Sequence, residues 1–345
     1  MLALTYEGPQ QVAVSDVADA GLVDDESAVV RITASGICGS DLHIYDGHGF
    51  SPTTGYSLGH EAVGIIEEVG AAVHGFRAGD RVLVTASVAC GRCEPCAHGH
   101  ILLCETGGSG CWGLGHAHPG TQAEALAVPA ADRNLVLLPE GLSDAAGIVL
   151  TDNLPTAWYG ARRGRVGPGD TVAVVGLGPV GLMSVVSAQV MGAARVLAID
   201  LVPERRAAAA ALGAEPIEAD DVRAAVAEAT SGRGVDVALE AVGADATVTL
   251  ALDLAGREGR VSIVGVNQSM DFSMRMVLAQ LKCLEIHIGL CSVQRELPTL
   301  MRLAATGRID PAVVVTHTMG LSDGPDAYAL FASRTDGVGK VMLVP

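Results

Sequence analysis

Residues 171–181 read TVAVVGLGPVG, in which five mainly β-branched residues lead into a glycine-rich turn. An apolar helix-like stretch, VGLMSVVSAQVMG, follows this turn, and a second strand-like run, RVLAID, ends at Asp200. A strand, a helix and a strand within about thirty residues form a βαβ unit. Strand and helix patterns keep alternating as far as about Leu290. The alternation predicts an α/β fold with a doubly wound parallel sheet.

The glycine-rich turn has the spacing G-x-G-x-x-G, formed by Gly176, Gly178 and Gly181 with Pro179 and Val180 between the last two. Its position after a predicted strand and before a predicted helix is typical of a dinucleotide-binding fingerprint. The first glycine permits a tight turn, the second lets the backbone approach a pyrophosphate, and the third allows the helix to pack closely on the strand. The alternative is an ordinary glycine-rich loop that binds nothing.

Asp200 follows Gly181 by nineteen residues, at the end of the second predicted strand. A carboxylate at this position accepts hydrogen bonds from ribose hydroxyls and repels a 2′-phosphate. The next two residues are Leu201 and Val202, and Arg205 comes only later, so the sequence predicts NAD rather than NADP. The alternative is a solvated aspartate that caps the following helix.

Composition sets limits on the class of protein. The chain has 345 residues, 49% apolar and 18% charged, which is long enough for two domains. A formal charge of −17 disfavours nucleic acid and anionic membranes as partners. No stretch approaches the roughly 18 apolar residues of a spanning helix, and residues 1–20 lack the features of a secretory signal. We therefore expect a cytoplasmic protein.

Four of the eight cysteines form a compact C-x2-C-x2-C-x7-C cluster, namely Cys90, Cys93, Cys96 and Cys104. A reducing compartment disfavours disulfides, whereas four closely spaced thiolates are typical of a tetrahedral zinc site. Such a site has no open coordination position. The cluster therefore predicts a structural zinc, and the alternative is a chance group of reduced cysteines.

A second, dispersed set of possible zinc ligands consists of Cys38, His60, Glu61 and Asp152. Three protein ligands with one exchangeable position define a catalytic zinc site. Spacing alone leaves open the alternative that His60 and Glu61 are an ordinary surface or core pair.

Several motifs occur in order along nearly the whole chain: GICGSDLH at 36–43, GHEAVGIIEEVG at 59–70, GDRV at 79–82, the four-cysteine lobe, and VVGLGPVG at 174–181. Together they resemble the zinc-dependent alcohol dehydrogenases of the medium-chain dehydrogenase/reductase superfamily. The resemblance implies a β-rich, GroES-like catalytic domain from residues 1–152 and 291–345, with the structural zinc lobe at about 88–106. It also implies a Rossmann NAD-binding domain at 153–290.

The resemblance assigns Cys38, His60 and Asp152 to the catalytic zinc, and it makes Glu61 a neighbouring carboxylate that can also approach the metal. Many relatives have cysteine where this chain has Asp152, although others have aspartate. The implied cofactors are two Zn²⁺ ions per chain, one catalytic and one structural, together with NAD. The implied reaction is hydride transfer between an alcohol and NAD, which gives an aldehyde or ketone.

Further residues match the family's proton relay and its surroundings. Ser40 corresponds to the hydroxyl that contacts the substrate oxygen, and His43 corresponds to the outer end of the relay. Asp41 corresponds to a partner of the ligand histidine, and Thr156 is expected to contact the cofactor. Some members carry a basic pyrophosphate contact where this chain has Gly39, and Lys340 is a possible replacement, the alternative being a solvated lysine near the chain end.

The substrate is weakly specified by the sequence. Trp112 and residues 290–293 match positions that line the pocket in relatives, which suggests an apolar alcohol or ketone. The alternatives within the superfamily are sugar alcohols, vicinal diols and formaldehyde adducts. A zinc-free quinone or enoyl reductase is disfavoured by Cys38, His60 and the cysteine lobe. A zinc-ribbon binding module is disfavoured by the acidic charge. The resemblance also suggests a homotetramer or homodimer.

Overall fold

Two compact units make up the chain in the computed structural model, which describes residues 1–49, 51–106 and 110–345. The first unit consists of Met1–Pro155 and Ser292–Pro345, and the second consists of Thr156–Cys291. The domain boundaries expected from the sequence fall after residues 152 and 290. Within the described residues, no helix is both long and apolar enough to cross a membrane.

Strands dominate the first unit and form the central layer of the second. In chain order they are β1 Leu2–Gly8, β2 Gln11–Asp16, β3 Ala28–Ile37, β4 Tyr56–Ser57, β5 Ala62–Val69, β6 Arg81–Val84, β7 Ser87–Val88, β8 Gly110–Cys111, β9 Ala125–Val128, β10 Leu135–Leu137, β11 Thr171–Val175, β12 Arg195–Ile199, β13 Glu215–Pro216, β14 Val235–Glu240, β15 Ala255–Ile263, β16 Glu285–Ile288, β17 Val315–Gly320 and β18 Lys340–Val344.

Helices surround these sheets. In chain order they are α1 Gly39–Tyr45, α2 Glu94–Ala97, α3 Ala131–Asn134, α4 Asp144–Leu150, α5 Asn153–Arg163, α6 Pro179–Val190, α7 Pro203–Ala211, α8 Val222–Ala229, α9 Asp245–Leu254, α10 Met276–Lys282, α11 Val293–Ala305 and α12 Gly324–Ser333. Short 3₁₀ turns lie at Ile101–Leu103, Pro311–Val314 and Leu321–Asp323.

The second unit is built on a parallel sheet with the strand order β13-β12-β11-β14-β15-β16. Its strands are short apolar runs because a sheet covered by helices is buried on both faces. In β11, for example, Val172, Ala173 and Val174 have no accessible surface. The strand order reverses between β11 and β14, and ligands bind open α/β sheets at such a switch point. The predicted Rossmann-type sheet is confirmed.

The first unit contains a mixed sheet with the strand order β10-β6-β5-β3-β18-β17, and β9 also pairs with β3. Strand β18, near the end of the chain, lies between β3 and β17 and is antiparallel to β3, with Val341 opposite Ile37. Residues separated by some three hundred positions in sequence therefore share one sheet. This β-rich unit agrees with the predicted GroES-like domain.

Candidate active site

The candidate metal ligands converge within the first unit. Cys38 lies between the end of β3 and the first turn of α1, with extended backbone angles (φ −100°, ψ 159°). Its backbone amide donates to Asp41 Oδ2 at 2.8 Å, so the aspartate caps the helix. His60 and Glu61 directly precede β5, and the carbonyl of Glu61 accepts from Gly36 N at 3.0 Å. The sheet thus fixes the backbone that carries each of these side chains.

Donor atoms of Cys38, His60, Glu61 and Asp152 all lie within 4.8 Å of one another. Asp152 Oδ2 is 3.3 Å from Cys38 Sγ and 3.7 Å from His60 Nε2. The side chain of His60 is only 4% exposed and that of Asp152 18% exposed. A thiol, an imidazole and carboxylates are the ligand types that zinc prefers. The donor set therefore fits a zinc ion.

The electrostatics of the cluster act on Asp152 and Cys38 in opposite directions. Burial acts to raise the pKa of Asp152, but the hydrogen bond and charge of His60, with the charge of Lys340, together lower it to about 2. Burial and the nearby carboxylates of Asp152 and Glu61 raise the pKa of the Cys38 thiol. A cation would relieve this concentration of negative charge, because thiolates bind metals only when deprotonated.

His60 is held on its far side by Asp41. The His60 Nδ1 atom lies 3.2 Å from Asp41 Oδ1, and the Asp41 side chain has no accessible surface. A carboxylate at this position favours the tautomer protonated on Nδ1, which leaves Nε2 available as a metal ligand. Ser40 Oγ is 3.2 Å from the same Nε2 atom. The expected neighbourhood of Asp41, His60 and Ser40 is therefore present in the structure.

Lys340 differs from both sequence interpretations. Its side chain is fully buried and forms an ion pair with Glu61 Oε2, so it is neither a solvated lysine nor free to bind a pyrophosphate. The other carboxylate oxygen of Glu61 accepts from Asn153 Nδ2 at 2.8 Å, and the same amide donates to Asp152 Oδ2 at 3.2 Å. A Cβ atom on Gly36 would lie 2.0 Å from Glu61 Oε2, so this close arrangement requires glycine.

Sequence reasoning did not assign Asn153 to the site, although it directly follows Asp152. His43 lies three residues after Ser40 on α1, on the same side of that helix. Thr156 is a half-buried residue of α5. The relay role of His43 and the cofactor contact of Thr156 stay predictions.

The four-cysteine cluster folds around a single point. Cys90 Sγ lies 4.0 Å from Cys96 Sγ, and Cys93 Sγ lies 4.0 Å from Cys104 Sγ. Zinc–sulfur bonds of about 2.3 Å in a tetrahedron place the sulfurs about 3.8 Å apart. None of these four cysteines is in a disulfide. These distances fit one tetrahedrally coordinated ion.

Hydrogen bonds stabilise one thiolate of this lobe in particular. The backbone amides of Arg92 and Cys93 lie 3.5 and 3.4 Å from Cys90 Sγ. Burial acts to raise the pKa of Cys90, but these amides and the Thr106 hydroxyl lower it to about 6. Burial raises the pKa of Cys96 to about 12. A metal ion would be needed to hold all four sulfurs as thiolates.

Trp112 does not line a pocket, so that prediction is wrong. Its side chain has no accessible surface and packs in the core of the first unit with Val84, Val88 and Leu126. The indole Nε1 donates to Thr85 O at 2.8 Å. In residues 290–293, Leu290 is 59% exposed, whereas Cys291 and Val293 are buried.

The glycine-rich turn of the second unit has the local geometry that its sequence predicts. Gly176 has φ +89°, and a Cβ atom there would lie 2.2 Å from Val242 Cγ2. A Cβ atom on Gly181 would lie 1.9 Å from Gly176 O. Gly178 is the N-cap of α6, and Pro179 occupies the first turn of that helix. The helix N-terminus therefore has the features of a phosphate site.

Asp200 at the end of β12 closes this turn. Its Oδ2 atom accepts from Leu177 N at 2.7 Å, and its Oδ1 atom accepts from Val202 N at 2.9 Å. Arg205 Nη1 lies 3.8 Å from Asp200 Oδ2, although it is five residues away in sequence. No arginine is adjacent to Asp200 in the sequence, but the first turn of α7 brings Arg205 back beside it in the structure.

Comparison with known proteins agrees with both units. Residues 24–140 match the model of the alcohol dehydrogenase GroES-like domain, and residues 179–306 match that of the zinc-binding dehydrogenases. A "probable zinc-binding alcohol dehydrogenase" of Mycobacterium tuberculosis is 39% identical over 97% of this chain and 86% of its own length. The solved alcohol dehydrogenase of Thermus sp. ATN1 is 40% identical, with a TM-score of 0.93 over 100% of this chain and 99% of its own.

Two related structures, each 27% identical, were solved with different cofactors. A zinc-binding dehydrogenase from Sinorhizobium meliloti holds NADP, with a TM-score of 0.87 over 100% of this chain and 99% of its own. An alcohol dehydrogenase from Escherichia coli holds NADH, with a TM-score of 0.88 over the same shares. The converging ligand set, the glycine-rich turn and these similarities lead to one assignment. The chain belongs to the zinc-dependent alcohol dehydrogenases of the medium-chain dehydrogenase/reductase superfamily.

Proposed function

We propose that this chain is a two-zinc dehydrogenase that transfers a hydride between an alcohol and NAD. The observation that carries the proposal is the convergence of Cys38, His60, Glu61 and Asp152 on one point within the GroES-like unit. A thiolate and a carboxylate balance the charge of a zinc ion. The opposite charges of Glu61 and Lys340 cancel each other without the zinc ion. The buried cluster is therefore close to neutral when the ion is present.

Cys38, His60 and Asp152 would hold the catalytic ion, with Glu61 as the carboxylate that can approach it. Zinc, when bound, supplies Lewis-acid chemistry that lowers the pKa of an alcohol. Ser40 Oγ, 3.2 Å from His60 Nε2, lies at the edge of the ligand set and can accept the alcohol proton as it gives up its own hydroxyl proton, through the ribose hydroxyls, toward His43. His43, one helical turn further along, would pass that proton to solvent. Cys90, Cys93, Cys96 and Cys104 would hold the second, structural ion.

NAD is the cofactor that we propose for the second unit. The turn formed by Gly176, Gly178, Pro179, Val180 and Gly181 would cradle the pyrophosphate. Asp200 supports NAD because its carboxylate is 10% exposed and would meet the ribose hydroxyls. Arg205 offers a cation nearby, but its position beside Asp200 already pairs its charge. Thr156 would be a further cofactor contact.

We further propose a homo-oligomer, a tetramer or a dimer, formed through the edge of the parallel sheet. Strand β16 ends that sheet, and Ile288 on it is 73% exposed. Beside it, Phe272, Met274 and Met276 help to line an apolar groove of about 470 Å³. An exposed edge strand with apolar neighbours favours pairing with a second copy.

We also propose a cytoplasmic location, which agrees with thiols that are not paired in disulfides.

The test is initial-rate reduction of NAD and, separately, NADP by the zinc-loaded protein with primary alcohols, secondary alcohols, diols, polyols and formaldehyde adducts. We expect NAD reduction with at least one class and about two zinc ions per chain. Cys38→Ser should abolish activity and remove one ion, whereas Cys283→Ser, at an exposed position, should change neither. Absence of activity over the whole panel with two ions bound would overturn the proposed substrate class.

A further inference from the structure

A buried glutamine and a buried tyrosine lie behind the partner of His60. Gln122, just before β9, and Tyr328, on α12, both have no accessible surface. The Tyr328 hydroxyl donates to Gln122 Oε1 at 2.8 Å. Burial and the charge of Asp41 raise the pKa of Tyr328 well above its usual value, so this hydroxyl stays protonated. The hydrogen bond joins the C-terminal helix to the segment around the ligands.

The Gln122 amide has a defined orientation, because Nε2 faces the Gly36 carbonyl and the Asp41 carboxylate, which can only accept. With Oε1 facing the tyrosine, Nε2 faces the other way and donates to Gly36 O at 3.0 Å. A flipped amide would place Oε1 against that carbonyl oxygen, where two acceptors would face each other. The amide is thus held at both ends. Its side chain also packs on the residue before His60, since a Cβ atom on Gly59 would lie 2.5 Å from Gln122 Cγ.

The amine end of Gln122 faces the carboxylate that supports the ligand histidine. Gln122 Nε2 lies 3.5 Å from Asp41 Oδ2. The same oxygen accepts from Cys38 N at 2.8 Å, and Asp41 Oδ1 is 3.2 Å from His60 Nδ1. Asp41 Oδ2 therefore accepts from Cys38 and Gln122, while Oδ1 faces the imidazole of His60. The Asp41 side chain itself is fully buried.

We propose that Gln122 and Tyr328 are positioning residues for His60. Tyr328 anchors the Gln122 amide, the amide restrains Asp41, and Asp41 holds the imidazole with Nε2 directed at Cys38 and Asp152. The inference rests on the proposed function, because it concerns how tightly the catalytic zinc is held. Outer partners of metal-bound histidines typically change metal affinity by about 10- to 100-fold. Asp41 is the direct partner of the histidine here, and Gln122 and Tyr328 lie one residue further from the metal site. We therefore expect a change in metal affinity near tenfold, the lower end of that range.

The test is the rate at which the zinc-loaded protein releases its ions to a chromogenic chelator. Two phases are expected, one from the cysteine lobe and one from the catalytic ligands, and Cys38→Ser identifies the catalytic phase. Tyr328→Phe and Gln122→Leu should speed this phase about tenfold and leave the lobe phase unchanged. Tyr45→Phe is the matched control, because the Tyr45 ring packs 5.6 Å from that of Tyr328 and has no part in the network.

A second readout separates positioning from loss of stability. The visible absorption of the cobalt-substituted protein reports ligand geometry, and we expect it to shift in Tyr328→Phe but not in Tyr45→Phe. Unfolding temperatures of all variants are measured in parallel, so that release caused by unfolding is recognised. Equal release rates and spectra in wild type, Tyr328→Phe and Gln122→Leu would overturn the inference and leave the proposed function intact. If the wild-type protein held only the zinc of the cysteine lobe, both the inference and the proposed function would be contradicted.

Discussion

Lys340 and Glu61 form an ion pair from which solvent is excluded, since neither side chain has accessible surface. Burial alone would lower the pKa of Lys340, but the charges of Glu61 and Cys38 raise it. The lysine comes from the last strand of the sheet and the glutamate directly follows the ligand His60. The pair therefore ties the C-terminal strand to the metal-binding cluster.

Removing the lysine should be costly. Lys340→Met leaves a buried carboxylate without its counter-ion, and we expect a loss of about 3–5 kcal/mol in the free energy of unfolding. Urea denaturation of the variant and of wild type measures this loss in the free energy of unfolding. The double variant Glu61→Gln with Lys340→Met removes both charges and should recover much of the loss. Equal stability of the single variant and wild type would show that Glu61 does not depend on Lys340.

Asp200→Gly should weaken the preference for NAD. The variant removes the negative charge that opposes a 2′-phosphate, while the positive charge of Arg205 stays beside the position. We expect the ratio of kcat/KM for NAD over NADP to fall about tenfold or more, equivalent to about 1.4 kcal/mol. Asp200→Asn keeps the acceptor oxygen for Leu177 N while removing the charge, so it should show the same trend. Unchanged kcat/KM values for both NAD and NADP would contradict the assignment of Asp200 to the cofactor site.

Cys93→Ser should release the structural zinc. A serine cannot replace the soft thiolate, so the zinc content should fall from about two ions per chain to about one. Metal analysis of the purified protein measures this content, and thermal unfolding should show lower stability. Cys283→Ser is the control, since this exposed cysteine lies outside both clusters. Two ions in Cys93→Ser would contradict the assignment of the lobe.

Glu240 should make stability depend on pH. It is fully buried at the end of β14, and burial raises its pKa above 4.5 despite hydrogen bonds from Gly243, Thr247 and Val242. The folded chain therefore binds this proton more tightly than the unfolded chain. The resulting stability is present below pH 4.5 and is lost as pH rises through the folded pKa.

Glu240→Gln cannot titrate at this position, so it should not share the loss of stability that wild type shows as pH rises above about 4.5. The free energy of unfolding of the variant relative to wild type should therefore increase with pH. Denaturant unfolding of both proteins over a pH series measures the difference. Glu228→Gln, at an exposed position of α8, is the control and should follow wild type. A difference between Glu240→Gln and wild type that stays constant with pH contradicts the raised pKa.

Trp112→Ala should affect stability rather than substrate preference. The change empties a core position and leaves the Thr85 carbonyl without its indole donor. A loss of about 3–5 kcal/mol is typical of such a truncation. Denaturant unfolding gives the loss, and relative kcat/KM values over the alcohol panel give the preference. An altered preference at unchanged stability would place Trp112 in the pocket after all.

Local patterns were sufficient for the Rossmann-type sheet and for the candidate ligands. The run TVAVV, the glycine-rich turn and the apolar helix are contiguous, so the sequence contains everything that forms them. Cys38, His60 and Asp152 were recognised through motifs rather than spacing. The structure brings their donor atoms within 4.8 Å of one another.

Contacts between distant segments could not be predicted in the same way. Lys340 reaches Glu61 only because β18 pairs with β3, and nothing in the local sequence specifies that pairing. Arg205 reaches Asp200 because the turn between β12 and α7 brings it back. Trp112 was misplaced because an aromatic residue type does not reveal which face of a segment is buried. Gln122 carries no motif, and its role depends on Tyr328.

The position of β18 has a consequence for the order in which the protein is made. A ribosome completes Cys38, His60 and Asp152 first, then the whole second unit, and only afterwards the strand that begins at Lys340. Until that strand emerges, β3 pairs only with β5 and β9, and Glu61 lacks its counter-charge. The nascent chain can therefore assemble its cysteine lobe and its parallel sheet early. The candidate metal-binding cluster acquires its buried ion pair only after the strand that begins at Lys340 has been made.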